Sequence, residues 1–103
     1  MNHLEIIKSL EDRLKQFCDE VETETEYVLE SGQCGEYDIL ARRKKDYFAI
    51  EVKRTDNSTN RHKAMKQLDR DFKYIKENYQ FERIILLYAY SSRNGYNIEM
   101  IRN

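Results

Sequence analysis

The longest uninterrupted apolar segment of the chain covers residues 84–90. Seven residues are too few to cross a bilayer, and a strand without a polar side predicts an element covered on both faces. A segment with helical periodicity comes before it, which indicates a crossover into a parallel, central strand. The expected architecture is therefore a sheet packed against helices.

Two segments have the spacing of amphipathic helices. In residues 3–21, apolar side chains recur every three or four positions from Leu4 to Val21. Residues 60–78 repeat this spacing from Met65 onward. Because such a stripe is typical of a helix with one buried face, each segment predicts one helix packed on the sheet.

Three strands are predicted between these helices. Residues 25–31 alternate with period two and are rich in Thr, Tyr and Val, which favours a strand. Residues 36–42 and 46–53 have strand patterns too, and only a short connection separates them. That connection predicts an antiparallel hairpin.

A last strand is predicted at residues 96–101, because Asn94 and Gly95 form a strong hairpin turn signal before it. The predicted element order is then α-β-β-β-α-β-β. This is an α/β fold with a mixed sheet flanked by two helices. At 103 residues, the chain has the length of a single domain, residues 1–103.

The charge of the chain is divided between its two parts. The whole sequence carries a net charge of −1, but residues 1–38 hold three basic against eleven acidic residues, a net charge of −8. Residues 39–103 hold fifteen basic against eight acidic residues, a net charge of +7. The second part is therefore suited to a polyanion, unless the asymmetry only reflects an acidic, solvated face of the first helix.

The two cysteines, Cys18 and Cys34, stand in no C-x-x-C or Cys/His metal pattern. They are too few to stabilise a domain of this size by disulfides, which predicts reduced thiols in a cytoplasmic protein. The first residues carry charges where a signal peptide needs an apolar stretch. Secretion and a membrane partner are therefore not expected.

Three charged residues form the candidate site. Glu51 and Lys53 share one face of a strand that is otherwise apolar, which packing alone does not require. With a hairpin turn near Lys44 and Lys45, Asp38 falls opposite Glu51. Two converging carboxylates repel each other unless a cation separates them, and oxygen ligands with open water positions suit Mg²⁺ or Mn²⁺. The alternative is a cross-strand ion pair on a half-exposed sheet.

The element order, together with Asp38 and the tripeptide Glu51-Val52-Lys53, resembles the PD-(D/E)XK nuclease superfamily. Within it, the chain looks most like archaeal-type Holliday junction resolvases and their viral or VRR-NUC-like relatives. The resemblance implies a restriction-endonuclease-like core. It also implies that Asp38, Glu51 and the backbone carbonyl of Val52 hold the metal, and that Lys53 is the catalytic lysine.

The family also uses an acidic residue on the first helix, and Glu11 is the best match, although it also suits an ion pair with Lys15. Gln67 on the second helix resembles a glutamine of related nucleases. The tyrosine expected four residues later is replaced by Asp71.

A set of polar and basic residues is expected to contact DNA: Ser31, Arg42, Arg43, Arg54, Lys63, Lys66 and Gln67. Ser31 belongs to the resemblance, and the basic residues near the motif would border the cleaved strand. For Arg42 and Arg43 the simpler interpretation is a solvated hairpin tip.

The resemblance thus implies a Mg²⁺-dependent endodeoxyribonuclease that acts on branched DNA, with Mn²⁺ as a substitute metal. Because cutting two strands calls for two sites, a symmetric homodimer is expected. Two alternatives stay open. One is a restriction-like or mobile-element nuclease on linear DNA, and the other is a catalytically silent module that binds nucleic acid or protein.

Overall fold

The structure, a computed structural model, describes residues 1–101 and contains two helices and five strands. In chain order the elements are α1 (His3–Leu14), β1 (Glu20–Val28), β2 (Cys34–Arg43), β3 (Asp46–Lys53), α2 (Ser58–Asn78), β4 (Arg83–Ser92) and β5 (Gly95–Ile101). The predicted order α-β-β-β-α-β-β is confirmed. No helix in the described part is long and apolar enough to span a membrane.

The five strands form one mixed sheet in the order β1-β2-β3-β4-β5. β3 and β4 are parallel, while every other neighbouring pair is antiparallel. The parallel pair is connected through α2, as the apolar segment 84–90 predicted. The hairpin of β2 and β3 closes at Arg43 opposite Asp46, so its turn is at Lys44 and Lys45 as expected.

The two helices cover opposite faces of the sheet. α1 and the sheet share one buried cluster: Ile6, Ile7, Leu10, Ile39, Ile50, Val52 and Ala89. α2 and the sheet share another, which includes Leu68, Ile75, Leu40, Tyr47, Ala49 and Leu86. Since successive side chains of a strand point to opposite faces, Ala49 and Ile50 mark the two sides of β3. The central strands are therefore buried on both faces.

The first helix is shorter than predicted. The periodicity predicted a helix over residues 3–21 and a strand from Thr25, whereas α1 ends at Leu14 and β1 begins at Glu20. The reason is tertiary pairing: Glu20 lies opposite Arg42 and Val21 opposite Ala41, so residues 20–23 gain strand partners in β2. β1 then ends at Val28, before the predicted end, because Leu29 and Gly32 form a turn in which the Gly32 amide donates to the Leu29 carbonyl.

Packing between α2 and the sheet makes a testable contribution to stability. Leu68 is fully buried in the α2 cluster. We expect Leu68→Ala to lower the free energy of unfolding by about 3 kcal/mol, because it removes apolar contacts and leaves a cavity. Leu4→Ala is the matched control, since Leu4 is also helical but 63% exposed, and should change stability by less than about 0.5 kcal/mol. Chemical denaturation measures both, and equal losses would contradict this account of the core.

Candidate functional site

Asp38 and Glu51 lie on neighbouring strands in the interior of the protein. Ile39 of β2 pairs with Ile50 of β3, which places Asp38 and Glu51 at the next position along the same pair of strands. Each residue is only 6% exposed. Burying a carboxylate costs free energy unless it is paired with a positive charge or binds a cation. We therefore expect a cationic partner for Asp38 and Glu51.

The contacts of Asp38 come from β3 and from the start of α1. The Val52 amide donates a hydrogen bond to Asp38 Oδ2 over 2.8 Å. His3 Nε2 lies 3.4 Å from the same oxygen. Asp38 is therefore held by the backbone of the strand that carries Glu51.

Glu51 is less well satisfied. Lys53 Nζ lies 3.7 Å from Glu51 Oε1, and Oε2 is buried without a hydrogen-bond partner. Burial, followed by the negative charges of Asp38 and Asp71, raises the pKa of Glu51 to about 9, although the charge of Lys53 opposes this shift. Without a cation Glu51 therefore keeps its proton at neutral pH. A divalent cation would displace that proton and occupy the unpartnered oxygen.

The structure places a third buried carboxylate, Asp71 of α2, in this region. The Tyr27 hydroxyl donates to Asp71 Oδ1 over 2.5 Å, and Gln67 Nε2 donates to the same oxygen over 2.9 Å. Sequence reasoning noted Asp71 only as a departure from a family pattern. A signal was present, because Asp71 follows Leu68 by three positions and precedes Ile75 by four, which puts it on the buried face of the helix.

Both polar groups of the Gln67 side chain form hydrogen bonds within the protein. Its Nε2 also donates to the backbone carbonyl of Glu36, and its Oε1 accepts a hydrogen bond from Arg70 over 2.6 Å. These contacts join α2 to β2 beside the Asp38 position. The predicted contact of Gln67 with DNA would have to compete with them.

Two polar residues of α1, Glu11 and His3, have different surroundings. Glu11 binds Lys15 at 3.3 Å and Lys8 at 3.8 Å, as its ion-pair interpretation predicted. Within residues 1–101, the α1 side chain that contacts Asp38 is His3. The two positions are about 12 Å apart along the helix, since each residue rises about 1.5 Å. Only the way α1 lies on the sheet decides which residue reaches the site.

The predicted DNA-contacting residues fall into two groups. Arg42 and Arg43 lie at the turn end of the hairpin, about 13–16 Å along the strand from Asp38. Arg42 there contacts Asp19 and Glu20. The other group lies nearer in the chain to the Glu51 end of β3 and is exposed: Arg54 after β3, and Lys63 and Lys66 on α2. Ser31 is exposed in the turn between β1 and β2.

The oxygen donors at Asp38 and Glu51 suit a cation that has few protein ligands. Among residues 1–101, no three His, Cys, Asp or Glu side chains are grouped closely enough to form a metal site by themselves. Mg²⁺, however, usually binds one or two protein carboxylates and keeps several waters. Asp38 and Glu51 match that pattern, and the buried unpartnered Oε2 of Glu51 fits a cation ligand.

No family model matches the chain. Neither a curated protein nor a solved structure matches it significantly either. An inference about function therefore depends on the geometry of Asp38, Glu51 and Lys53 and on the exposed basic residues that follow them in the chain.

Proposed function

We propose that the protein is a metal-dependent endodeoxyribonuclease with a restriction-endonuclease-like core of the PD-(D/E)XK type. One observation carries the proposal. Two carboxylates of neighbouring strands, Asp38 and Glu51, are buried side by side, and the lysine of the same strand face, Lys53, contacts one of them. A sheet that needed only stability would place apolar residues there, because burying charge is costly.

The residues have distinct roles in this proposal. Asp38 and Glu51, helped by the Val52 carbonyl, would hold Mg²⁺ or Mn²⁺. The bound cation supplies a Lewis acid and lowers the pKa of a coordinated water. Lys53 is partly exposed, so its ammonium group reaches the solvent side of the site. There it can orient the attacking water and offset negative charge that develops on the phosphoryl oxygens.

DNA is the proposed substrate, with branched DNA preferred. The exposed residues Arg54, Lys63 and Lys66 follow the site in the chain and are suited to phosphate contacts, which carry no sequence information. Selectivity for branched DNA would then come from the spacing of two sites in a homodimer. We further propose a cytoplasmic location, because both cysteines are free thiols.

The test is cleavage of a labelled four-way junction and of a linear duplex of the same sequence, each with Mg²⁺ or with EDTA. We expect cleavage only with Mg²⁺, faster on the junction, and none by Asp38→Ala. Faster, sequence-specific cutting of the duplex would favour the restriction-like alternative. Binding of DNA that weakens steeply with salt but gives no cleavage would identify a silent module.

A further inference from the structure

Asp71 has a place in the fold that packing does not explain. It is 1% exposed and lies on the face of α2 that carries Leu68 and Ile75. An apolar side chain at this position would avoid the cost of removing a carboxylate from water. Asp71 is thus an acidic residue within the apolar face of α2 that packs on the sheet.

The hydrogen bonds of Asp71 leave half of its carboxylate unsatisfied. Tyr27 and Gln67 both donate to Oδ1, whereas Oδ2 is buried and has no partner. Burial raises the pKa of Asp71 to about 7, while the hydrogen bond from Tyr27 and the positive charge of Arg70 oppose this shift and favour the ionised form. Asp71 therefore carries a negative charge in the interior at pH 8, and one of its oxygens is free.

Asp71 also belongs electrostatically to the candidate cation site. Its charge acts on Glu51, and the charge of Asp38 acts on Asp71. Two of the three carboxylates, Glu51 and Asp71, each have a buried oxygen without a partner. Lys53 and Arg70 supply the neighbouring positive charges. Three buried carboxylates in one region attract a cation more strongly than two.

We propose that Asp71 is a third carboxylate of this cation centre, which raises the affinity of the Asp38 and Glu51 site for a divalent cation through its charge. Asp71 is a positioning residue and not a direct ligand, because the described side chains include no group of three ligating residues. Tyr27 and Gln67 hold its carboxylate in place. This inference rests on the proposed function and assigns to Asp71 the tuning of metal affinity.

The test is a calorimetric titration with Mn²⁺ at pH 8 of the wild type, Asp71→Asn and Asp69→Asn. Asp71→Asn keeps an acceptor for Tyr27 and Gln67 but removes the charge. We expect it to weaken Mn²⁺ binding about 10-fold, the usual effect of losing a group that supports a metal site from outside. The Mg²⁺ concentration for half-maximal cleavage should rise by the same factor, while the maximal rate stays within about twofold.

Asp69→Asn is the matched control, since it removes the same charge from an exposed position of the same helix, where Asp69 pairs with Lys73. It should bind Mn²⁺ within about twofold of the wild type. Equal affinity of the wild type and Asp71→Asn would overturn the role of Asp71 but not the proposed function. An equal loss in Asp69→Asn would overturn it too, because the net charge of the protein, and not the buried position of Asp71, would then be responsible. A wild type that binds no Mn²⁺ would overturn the proposed function as well. Asp71→Ser provides a second uncharged variant in case Asp71→Asn does not fold.

Discussion

Glu51→Gln should give a protein that is more stable than the wild type without metal and inactive on DNA. The pKa of Glu51 is raised from 4.5 to about 9 in the folded protein, so folded Glu51 binds its proton more tightly than the unfolded chain does. Unfolding then releases a proton, and the stability that this group contributes is complete below about pH 4.5 and is lost as the pH rises towards 9. Gln cannot ionise, so it keeps this stability at pH 8.

The expected gain is about 2–4 kcal/mol in the free energy of unfolding at pH 8 in EDTA. Cleavage should fall by about 1000-fold, because a cation held by one carboxylate instead of two loses several kcal/mol of transition-state stabilisation. Urea denaturation and single-turnover cleavage measure the two effects. Two results would contradict this role of Glu51: an equal free energy of unfolding for Glu51→Gln and the wild type, or cleavage of DNA by Glu51→Gln at the wild-type rate.

Glu26→Gln is the control for a change of charge alone. Glu26 is exposed on β1, and the same substitution there should change stability by less than about 0.5 kcal/mol. The cleavage rate should stay at the wild-type value. A gain in stability together with a loss of cleavage in Glu51→Gln, with no change in Glu26→Gln, is typical of a functional site. The loss of a structural ion pair would instead lower stability.

Lys53→Met should separate cation binding from catalysis. The Lys53 ammonium lies 3.7 Å from Glu51 Oε1, so its removal takes a positive charge away from the cation site and should tighten Mn²⁺ binding slightly. Cleavage should fall about 100- to 1000-fold, the usual cost of losing one group that stabilises developing charge. Calorimetry and single-turnover kinetics measure the two properties on the same preparation.

Lys73→Met is the corresponding control. Lys73 is an exposed residue of α2 that pairs with Asp69, and its loss should change neither Mn²⁺ affinity nor the maximal cleavage rate by more than about twofold. If Lys53→Met cleaves DNA as fast as Lys73→Met does, Lys53 has no catalytic role. If Asp38 and Glu51 are nevertheless essential for cleavage, the reaction proceeds without a catalytic lysine.

The parts of the fold that depend on local pattern could be predicted. The hairpin of β2 and β3 follows from a short connection, and the parallel placement of β4 follows from an apolar segment after a helix. The end of α1 could not be predicted in this way. Residues 15–21 continue the helical stripe, and the pairing of β1 with β2, from Glu20 opposite Arg42 onward, decides that this stretch leaves the helix.

In the candidate site, too, local pattern predicts some positions and tertiary packing decides the others. Asp38 and Glu51 are placed by symmetry about one hairpin turn, and Lys53 follows from alternation along one strand, so sequence reasoning reached all three. His3 and Tyr27 meet the carboxylates only through the packing of α1 and β1 against the sheet. Their positions depend on the placement of α1 and β1 relative to the neighbouring strands. The spacing of residues within one segment does not specify that placement.

A calorimetric titration of the wild type and Asp38→Asn with Mn²⁺ at pH 8 shows whether Asp38 helps to bind a divalent cation. Asp38→Asn removes one proposed ligand charge but keeps an oxygen that can accept from the Val52 amide. We expect saturable binding by the wild type and a loss of affinity of at least about 10-fold in the variant. Identical titration curves for the two proteins, or no binding by the wild type, would contradict a cation site at Asp38 and Glu51.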